Sequence, residues 1–417
     1  MALATADLYP ADSSLAEGRL AIGGCDAVGL AERFGTPAYV LAERDLRDRA
    51  RAAVRALAEH HDGPGRIVFA SKALPCTAVL RIFAEEGLGC DVASGGELHL
   101  ALRAGFDPRA LYLHGNAKSD AELAAALAAG VGTIVLDHPA EAERLDALVP
   151  TGRRQRVLVR VTPGVDADTH ASILTGQAGS KFGMPPAAVG ELLGRDWPRL
   201  ELAGLHMHIG SQLFAPEPWR RAAEALAPLG RFAVYDLGGG LGVPYTRDDQ
   251  PTDLAAWVAG MAQTAREAFG SGFELVLEPG RALVAQAGVT LYRVEAVKPG
   301  AGGELIVAVD GGMSDNLRPM LYAASYEAAL ADRAGEDDVC QVVGKHCESG
   351  DVLVRDARLP GPRRGDVLVV PVTGAYGHAM ANNYNGVPRP PIVLCRDGEA
   401  RLAVRRETYE DLHARDV

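Results

Sequence analysis

Four groups of residues in this 417-residue chain carry reactive chemistry, and each follows a short apolar run. Lys72 comes after Val68-Phe-Ala-Ser71, and His206 after Ala203-Gly-Leu205. The glycines Gly238, Gly239 and Gly240 follow Val234-Tyr-Asp-Leu237, and Glu278-Pro-Gly-Arg281 ends Glu274-Leu-Val-Leu277. Phe69, Ala70 and Ala73 give Lys72 apolar neighbours, and low polarity disfavours an ammonium. A lysine that sheds its proton readily suits Schiff-base chemistry. A strand-end lysine directed at water has the same local sequence.

Asp236-Leu-Gly-Gly-Gly-Leu-Gly242 presents consecutive backbone N–H groups with no side chain between them and an anion, an arrangement that suits a phosphate. A plain flexible turn reads identically. The run is not a dinucleotide fingerprint, because Val243 stands where that pattern requires glycine, and no G-x-x-x-x-G-K-[ST] loop occurs. His206 and His208 alternate along an extended chain and share a face; they could be a metal pair, although no third ligand stands at a recognisable spacing, and the expectation is no metal. A ring stacked on a planar cofactor, or a core histidine, are the other readings. Glu278 could keep a pyridine nitrogen protonated or bridge to Arg281. Cys347 follows Lys345 and His346, neighbours that acidify a thiol and fit it for proton transfer. A buried, inert cysteine is the ordinary alternative.

Such side chains need a scaffold that brings strand ends together. From about residue 37 the sequence repeats a short β-branched or apolar run, a turn, and an Ala/Leu/Glu/Arg-rich stretch of helical spacing such as Ala121 to Ala129. The candidate strands are Arg66 to Ala70, Gly89 to Val92, Leu111 to His114, Thr133 to Leu136, Val157 to Val161, Leu202 to His206, Ala233 to Leu237 and Glu274 to Glu278. Eight such units match a (β/α)8 barrel, whose reactive residues sit at the C-terminal ends of its strands. All four groups would then face one mouth.

After Arg281 the segments Val289 to Val297, Leu305 to Val309, Val352 to Val354, Val367 to Val372 and Ile392 to Leu394 predict a second, mostly β domain. Pro37 to Leu41 is strand-like and is a candidate to join it.

Apolar residues make up 48% and charged residues 23%, the balance of a globular chain with a sizeable core. The net charge of −12 leaves no basic field for nucleic acid or an anionic membrane. Cys25, Cys76, Cys90, Cys340, Cys347 and Cys395 form no C-x-x-C pair, which points to a reduced cytoplasm rather than a disulfide framework. The N-terminal stretch Met1-Ala-Leu-Ala-Thr-Ala-Asp-Leu-Tyr-Pro10 lacks the pattern of an export signal, and no segment of the sequence is long and apolar enough to span a bilayer.

Taken together, these segments resemble the diaminopimelate decarboxylase family, within the fold-type III pyridoxal-5′-phosphate (PLP) enzymes whose relatives include ornithine decarboxylase and alanine racemase. The resemblance runs over nearly the whole chain. It rests on Ala70-Ser-Lys-Ala73, Cys90-Asp-Val-Ala-Ser-Gly-Gly-Glu97, His114-Gly-Asn-Ala-Lys118, Ser180-Lys-Phe-Gly183, His206-Met-His-Ile-Gly-Ser-Gln212, Asp236-Leu-Gly-Gly-Gly240 and Glu278-Pro-Gly-Arg281. Further on come Asp310-Gly-Gly-Met-Ser-Asp-Asn-Leu-Arg318, Cys347-Glu-Ser-Gly-Asp351 and Gly374-Ala-Tyr376.

The resemblance implies an α/β chain: a PLP-binding (β/α)8 barrel over residues 42–284 and a β domain over 285–417 completed by residues 1–41. It implies decarboxylation of meso-2,6-diaminopimelate to L-lysine and CO2 with PLP as cofactor. Lys72 would hold PLP as a Schiff base, with Asp91 beside the cofactor. His206 would stack on the ring and Glu278 would pair with its nitrogen. Gly238, Gly239, Gly240, the Gly280–Arg281 region, Tyr376 and Ser211 would hold the phosphate. Cys347 would protonate the product carbon, while Arg281, Arg318, Tyr322, Glu348 and Tyr376 would hold the distal end of the substrate. The family's site is shared across a homodimer, so Cys347 and Glu348 would serve the partner subunit.

Phe69 and Leu74 stand where the family commonly has Tyr and Asn, and His378 and Met380 match no family role. Glu278 argues against a racemase, which would place an arginine opposite the ring nitrogen. Decarboxylases of ornithine, arginine, carboxynorspermidine or a carrier-bound amino acid, and a catalytically silent PLP-binding homologue, remain the alternatives.

Overall fold

The computed structural model describes residues 6–165 and 179–417. Residues 1–5, the start of the expected N-terminal contribution to the β domain, lie outside it. The chain divides into two compact units, Arg49–Gly242 with Thr252–Ala282, and Met1–Asp48 with Val243–Pro251 and Leu283–Val417. The boundary read from sequence takes no account of Val243–Pro251, a strip that leaves the first unit to pack in the second.

The first unit is a closed barrel of eight parallel strands in chain order: Gly65–Ala70, Gly89–Val92, Leu111–Leu113, Thr133–Leu136, Gln155–Arg160, Leu200–His206, Val234–Asp236 and Glu274–Leu277. Pairing of Leu275 with Gly65 closes the ring. All eight strands expected from sequence are present, shifted by no more than a few residues at their ends. Val68, Tyr112, Val135, Leu158, Ala203, Val234 and Val276 pack together in the interior. Side chains alternate along a strand, so the residue two positions on repeats the inward direction, one layer nearer the C-terminal mouth. That layer is polar: Tyr112 is followed by His114, Val135 by Asp137, Leu158 by Arg160, Val234 by Asp236, and Val276 by Glu278. His206 stands three positions after Ala203 rather than two, and a register shift between Leu202 and Gly204 takes up the odd step.

The helices outside the barrel begin where side chains can accept the first free N–H groups. Ser94 caps the helix Gly95–Ala104, and Ser119 with Glu122 forms a capping box on Asp120–Ala129. Gly105 and Gly130 end these two helices in the left-handed conformation. Phe69, one of the departures from the family pattern, is fully buried against Phe83 with ring centroids 4.5 Å apart. It therefore packs toward the helix layer and leaves the barrel interior unaltered.

The second unit is built on a nine-stranded sheet. The long strand Gly288–Pro299 runs antiparallel to Ala38–Ala42, which runs parallel to Ile392–Arg396. The segment near Pro37 to Leu41 thus joins this sheet, as its sequence suggests. Asp338–Val343 and the edge strand Glu399–Val404 are additions that the sequence pattern does not announce. The latter is largely exposed and reads as a loop, yet Asp397-Gly398, both at positive φ, make the tight turn that pairs it with Ile392–Arg396. Among the described residues no helix is long and apolar enough to cross a membrane.

Candidate active site

The polar layer at the barrel mouth brings together three of the expected cofactor residues, Asp91, His206 and Glu278, beside His114 and Asp236. Lys72 sits on a single turn, Ser71–Ala73, directly after the first barrel strand. Gly280 packs against this turn: a Cβ there would lie 3.0 Å from the Ala70 Cβ and 3.3 Å from that of Ala73. The Lys72 side chain is 49% exposed, and its Nζ lies 4.0 Å from the buried Asp91 carboxylate. The apolar setting expected for this lysine is therefore corrected: its immediate neighbours in sequence turn away, and a carboxylate faces its ammonium.

Glu278 is the electrostatic centre of the layer. His206 Nε2 donates to its Oε2 at 3.3 Å, and His114 Nε2 lies 2.8 Å from its Oε1. Burial alone would raise the Glu278 carboxyl, but the two imidazoles outweigh it and hold the group well below the usual carboxylate range. Asp236 goes the other way. Burial, then the nearby Glu278 charge, carries it well above its ordinary value, and one oxygen accepts the Gly238 N–H at 2.9 Å. Asp91 is also raised, chiefly by burial. Burial pushes His206 down to about 3, so its ring is neutral. The layer accordingly sets the ionised Glu278 beside a neutral His206 imidazole.

Two buried atoms here lack a hydrogen-bond partner within the chain: His206 Nδ1 and Asp236 Oδ2. Leaving such groups unsatisfied costs about 1–3 kcal/mol each, so the cluster fits a polar ligand that completes it. The donor atoms of His114, His206, Asp236 and Glu278 lie within 4.8 Å of one another, close enough to surround a cation. A protonated ring nitrogen aimed at Glu278 fits the same donor set, and PLP carries one.

The two histidines that share a face in the sequence part company, and the alternative Glu278–Arg281 bridge does not form. His208 lies past the end of its strand, and its Nδ1 accepts the Gly239 N–H at 3.2 Å, whereas His206 faces Glu278. Arg281 donates to Ser211 Oγ at 2.9 Å, and Glu278 is engaged by the two imidazoles. The glycine run owes its composition to close packing as well as to any anion: a Cβ on Gly239 would meet the Glu278 carbonyl oxygen at 2.2 Å, and one on Gly240 the Gly210 oxygen at 2.5 Å. Two of its N–H groups are already engaged, Gly238 by Asp236 and Gly239 by His208.

His114, Asp236 and Arg160 join the site although their sequence positions suggest no role for them. The signal that marks them is the apolar-x-polar ending shared by the barrel strands. Arg160 is buried over the Phe182 ring, 4.4 Å from its centroid, and so ties the Ser180–Gly183 motif to the barrel. Gly183 also donates to Asp137 at 2.9 Å.

The β unit carries the remaining expected residues. Arg318 opens the short helix Arg318–Tyr322, which ends on the half-buried Tyr322. Tyr376 adopts a left-handed backbone with φ 61°, a conformation that side chains other than glycine hold only under constraint. His378 is pushed down to about 4, mainly by burial, and packs edge-on to Tyr39. Cys347 and Glu348 lie on a separate, exposed loop. The base of that loop is tied by Asp351, which accepts from the His346 N–H at 3.0 Å and faces the His346 Nδ1 at 2.7 Å. Asn385 accepts the Cys347 N–H at 2.9 Å. The other five cysteines are buried, which leaves Cys347 as the exposed thiol.

Comparison with known proteins shows the family. The family model described as pyridoxal-dependent decarboxylase, pyridoxal binding domain, matches residues 43–285. A curated diaminopimelate decarboxylase of Actinosynnema pretiosum subsp. auranticum is 48% identical over 98% of this chain and 95% of its own. That of Bacillus subtilis (strain 168) is 44% identical over 96% of this chain and 95% of its own. Among solved structures, diaminopimelate decarboxylase from M. jannaschii in complex with L-lysine superimposes with a TM-score of 0.90 at 32% identity, covering 98% of each chain.

Proposed function

The chain belongs to the pyridoxal-dependent decarboxylases, and we propose that it converts meso-2,6-diaminopimelate to L-lysine and CO2. The observation that carries this reading is the ionised Glu278, buried at the barrel mouth beside His206 and His114. An anion so placed keeps a ring nitrogen protonated, the requirement for decarboxylation that an opposing arginine would defeat. Bound PLP supplies the group that accepts the electrons left when CO2 departs.

The chain's own residues do the rest. Lys72 provides the amine that anchors the cofactor, and Asp91, 4.0 Å away, orients its Nζ. His206 is neutral at physiological pH, so it presents a ring face without adding a positive charge. Ser211, already in contact with Arg281, and the glycine run are suited to phosphate. Cys347 Sγ delivers the proton to the product carbon; its exposure suits a thiol that serves the partner subunit of a homodimer. Arg281, Arg318, Tyr322, Glu348 and Tyr376 hold the end of the substrate that does not react. A reducing cytoplasm suits a chain whose six cysteines are all free thiols.

Incubation of the PLP-loaded protein with meso-diaminopimelate, ornithine and arginine, with CO2 and amine products measured, tests the reading. L-lysine and CO2 from diaminopimelate at a rate far above the other two is the expected result. Preferential release of CO2 from ornithine or arginine would overturn it.

A further inference from the structure

Arg318 is 5% exposed, yet among the described residues no carboxylate pairs with it. A buried guanidinium ordinarily requires an anion, because removal from water is costly for a charge. Here two aromatic rings stand in. The guanidinium carbon lies 4.3 Å from the Tyr245 ring centroid and 5.6 Å from that of Tyr326. One Nη donates to the Tyr326 hydroxyl at 2.5 Å, and Nε has no acceptor. The two rings meet edge to face, 5.1 Å apart at 75°.

This packing is held from outside by a second set of contacts. Tyr245 lies on the strip Val243–Pro251 that packs in the β unit, and Asp249 fixes it by accepting the Tyr245 and Thr246 N–H groups at 2.8 and 2.9 Å. Arg247 on the same strip grips Glu327, the neighbour of Tyr326, through its backbone N–H at 2.6 Å and its guanidinium at 2.9 Å, and reaches Glu336 at 2.7 Å. The strip and the Tyr326 segment are thereby clasped together around Arg318.

We infer that Tyr245 and Tyr326 are specificity-determining positioning residues, forming an aromatic socket that presents the Nε edge of Arg318 to a carboxylate of the substrate. This deepens the proposed function and rests on it. The Tyr245 ring lies against the guanidinium and the Tyr326 hydroxyl takes one Nη, so the polar direction left to a ligand is the Nε edge. A planar anion meets it with two parallel hydrogen bonds, whereas an ammonium is repelled. The socket thus selects substrates that carry a carboxylate on the end that does not react. A lysine at this position could not offer such a fork.

The test compares equilibrium binding of two probes to the PLP-loaded protein by calorimetry: L-lysine, which keeps that carboxylate, and cadaverine, which lacks it. Tyr326→Phe and Tyr245→Leu are expected to weaken L-lysine by about tenfold or more and leave cadaverine within about twofold. Tyr245→Phe keeps the ring and is expected to retain near wild-type binding. In turnover the two damaging variants raise KM for meso-diaminopimelate with kcat little changed. Equal weakening of both probes, or unchanged L-lysine binding in Tyr326→Phe with an unaltered melting temperature, overturns the socket. Should Tyr245→Leu misfold, Tyr326→Phe decides the matter. A wild-type protein that binds cadaverine as well as L-lysine and does not release CO2 from diaminopimelate would instead overturn the proposed function itself.

Discussion

His206 Nε2 lies 3.3 Å from Glu278 Oε2 and, with His114 at 2.8 Å from the other oxygen, sets the charge of the barrel mouth. The ring is neutral and donates; the carboxylate is ionised and accepts. Glu278→Gln keeps the shape and removes the charge. We expect PLP to remain bound through its other contacts while kcat for CO2 release falls about a hundredfold or more, the scale seen when one preorganised electrostatic group is removed. A kcat within a few-fold of wild type would refute the assignment of Glu278.

Lys118 and Glu141 form an ion pair 2.7 Å apart at the mouth of the barrel, both almost wholly buried. Lys118 also donates to the Val135 carbonyl at 2.8 Å, and Glu141 accepts the Asp137 N–H at 2.9 Å. Removing one member strands the other charge, so Glu141→Ala should cost about 3–5 kcal/mol, while the double replacement Lys118→Met/Glu141→Leu should recover most of that loss. Urea unfolding midpoints of the single and double variants check this. A double variant no more stable than the single one would show that the backbone contacts dominate.

The barrel is legible in the sequence because its signal is periodic: an apolar run ending in a polar residue recurs at every strand, and strand-end chemistry then follows from the fold. Glu278, His206 and Asp91 do come together as the sequence implies. The setting of Lys72 is not legible, since its apolar neighbours alternate away from it and Asp91 arrives from the next strand. Nor is the aromatic packing of Arg318, because Tyr245 lies far away in sequence on a strip that leaves the barrel unit to pack with the β unit. The edge strand Glu399–Val404 escapes the sequence pattern because exposed strands lose the apolar alternation that marks buried ones.

Gly239→Ala tests the packing role of the glycine run. The added Cβ would lie 2.2 Å from the Glu278 carbonyl oxygen, a backbone atom that cannot step aside without moving Glu278. Loss of PLP affinity together with about 1–3 kcal/mol of stability is expected from such overpacking. Gly190 lies in the helix Pro186–Leu193, and a Cβ added there would meet nothing within 4 Å, so Gly190→Ala should instead stabilise by roughly 0.5–1 kcal/mol. Thermal melts and PLP titration of both variants separate the two cases, and equal behaviour would contradict the steric account.

Asp315 provides a pH signature in the β unit. It is buried, its Oδ2 accepts the Gly312 N–H at 2.9 Å, and the Tyr292 hydroxyl donates to its other oxygen. Burial outweighs these two donors and, with Asp310 and Asp351 nearby, pushes the carboxyl up to about 7. The folded protein therefore holds a proton between about pH 4 and 7 that the unfolded chain has already released. Stability from this group is fully present below about pH 4 and is lost as pH rises through 7. Asp315→Asn preserves an acceptor for Gly312 but does not titrate. The stability of wild type relative to Asp315→Asn should accordingly fall as pH rises across this window, by up to about 1.4 kcal/mol per pH unit, and level off above it. Urea midpoints of the two proteins at pH 5, 6, 7 and 8 give that difference directly. A difference that stays flat, or that grows in favour of wild type as pH rises, would contradict a proton held at Asp315.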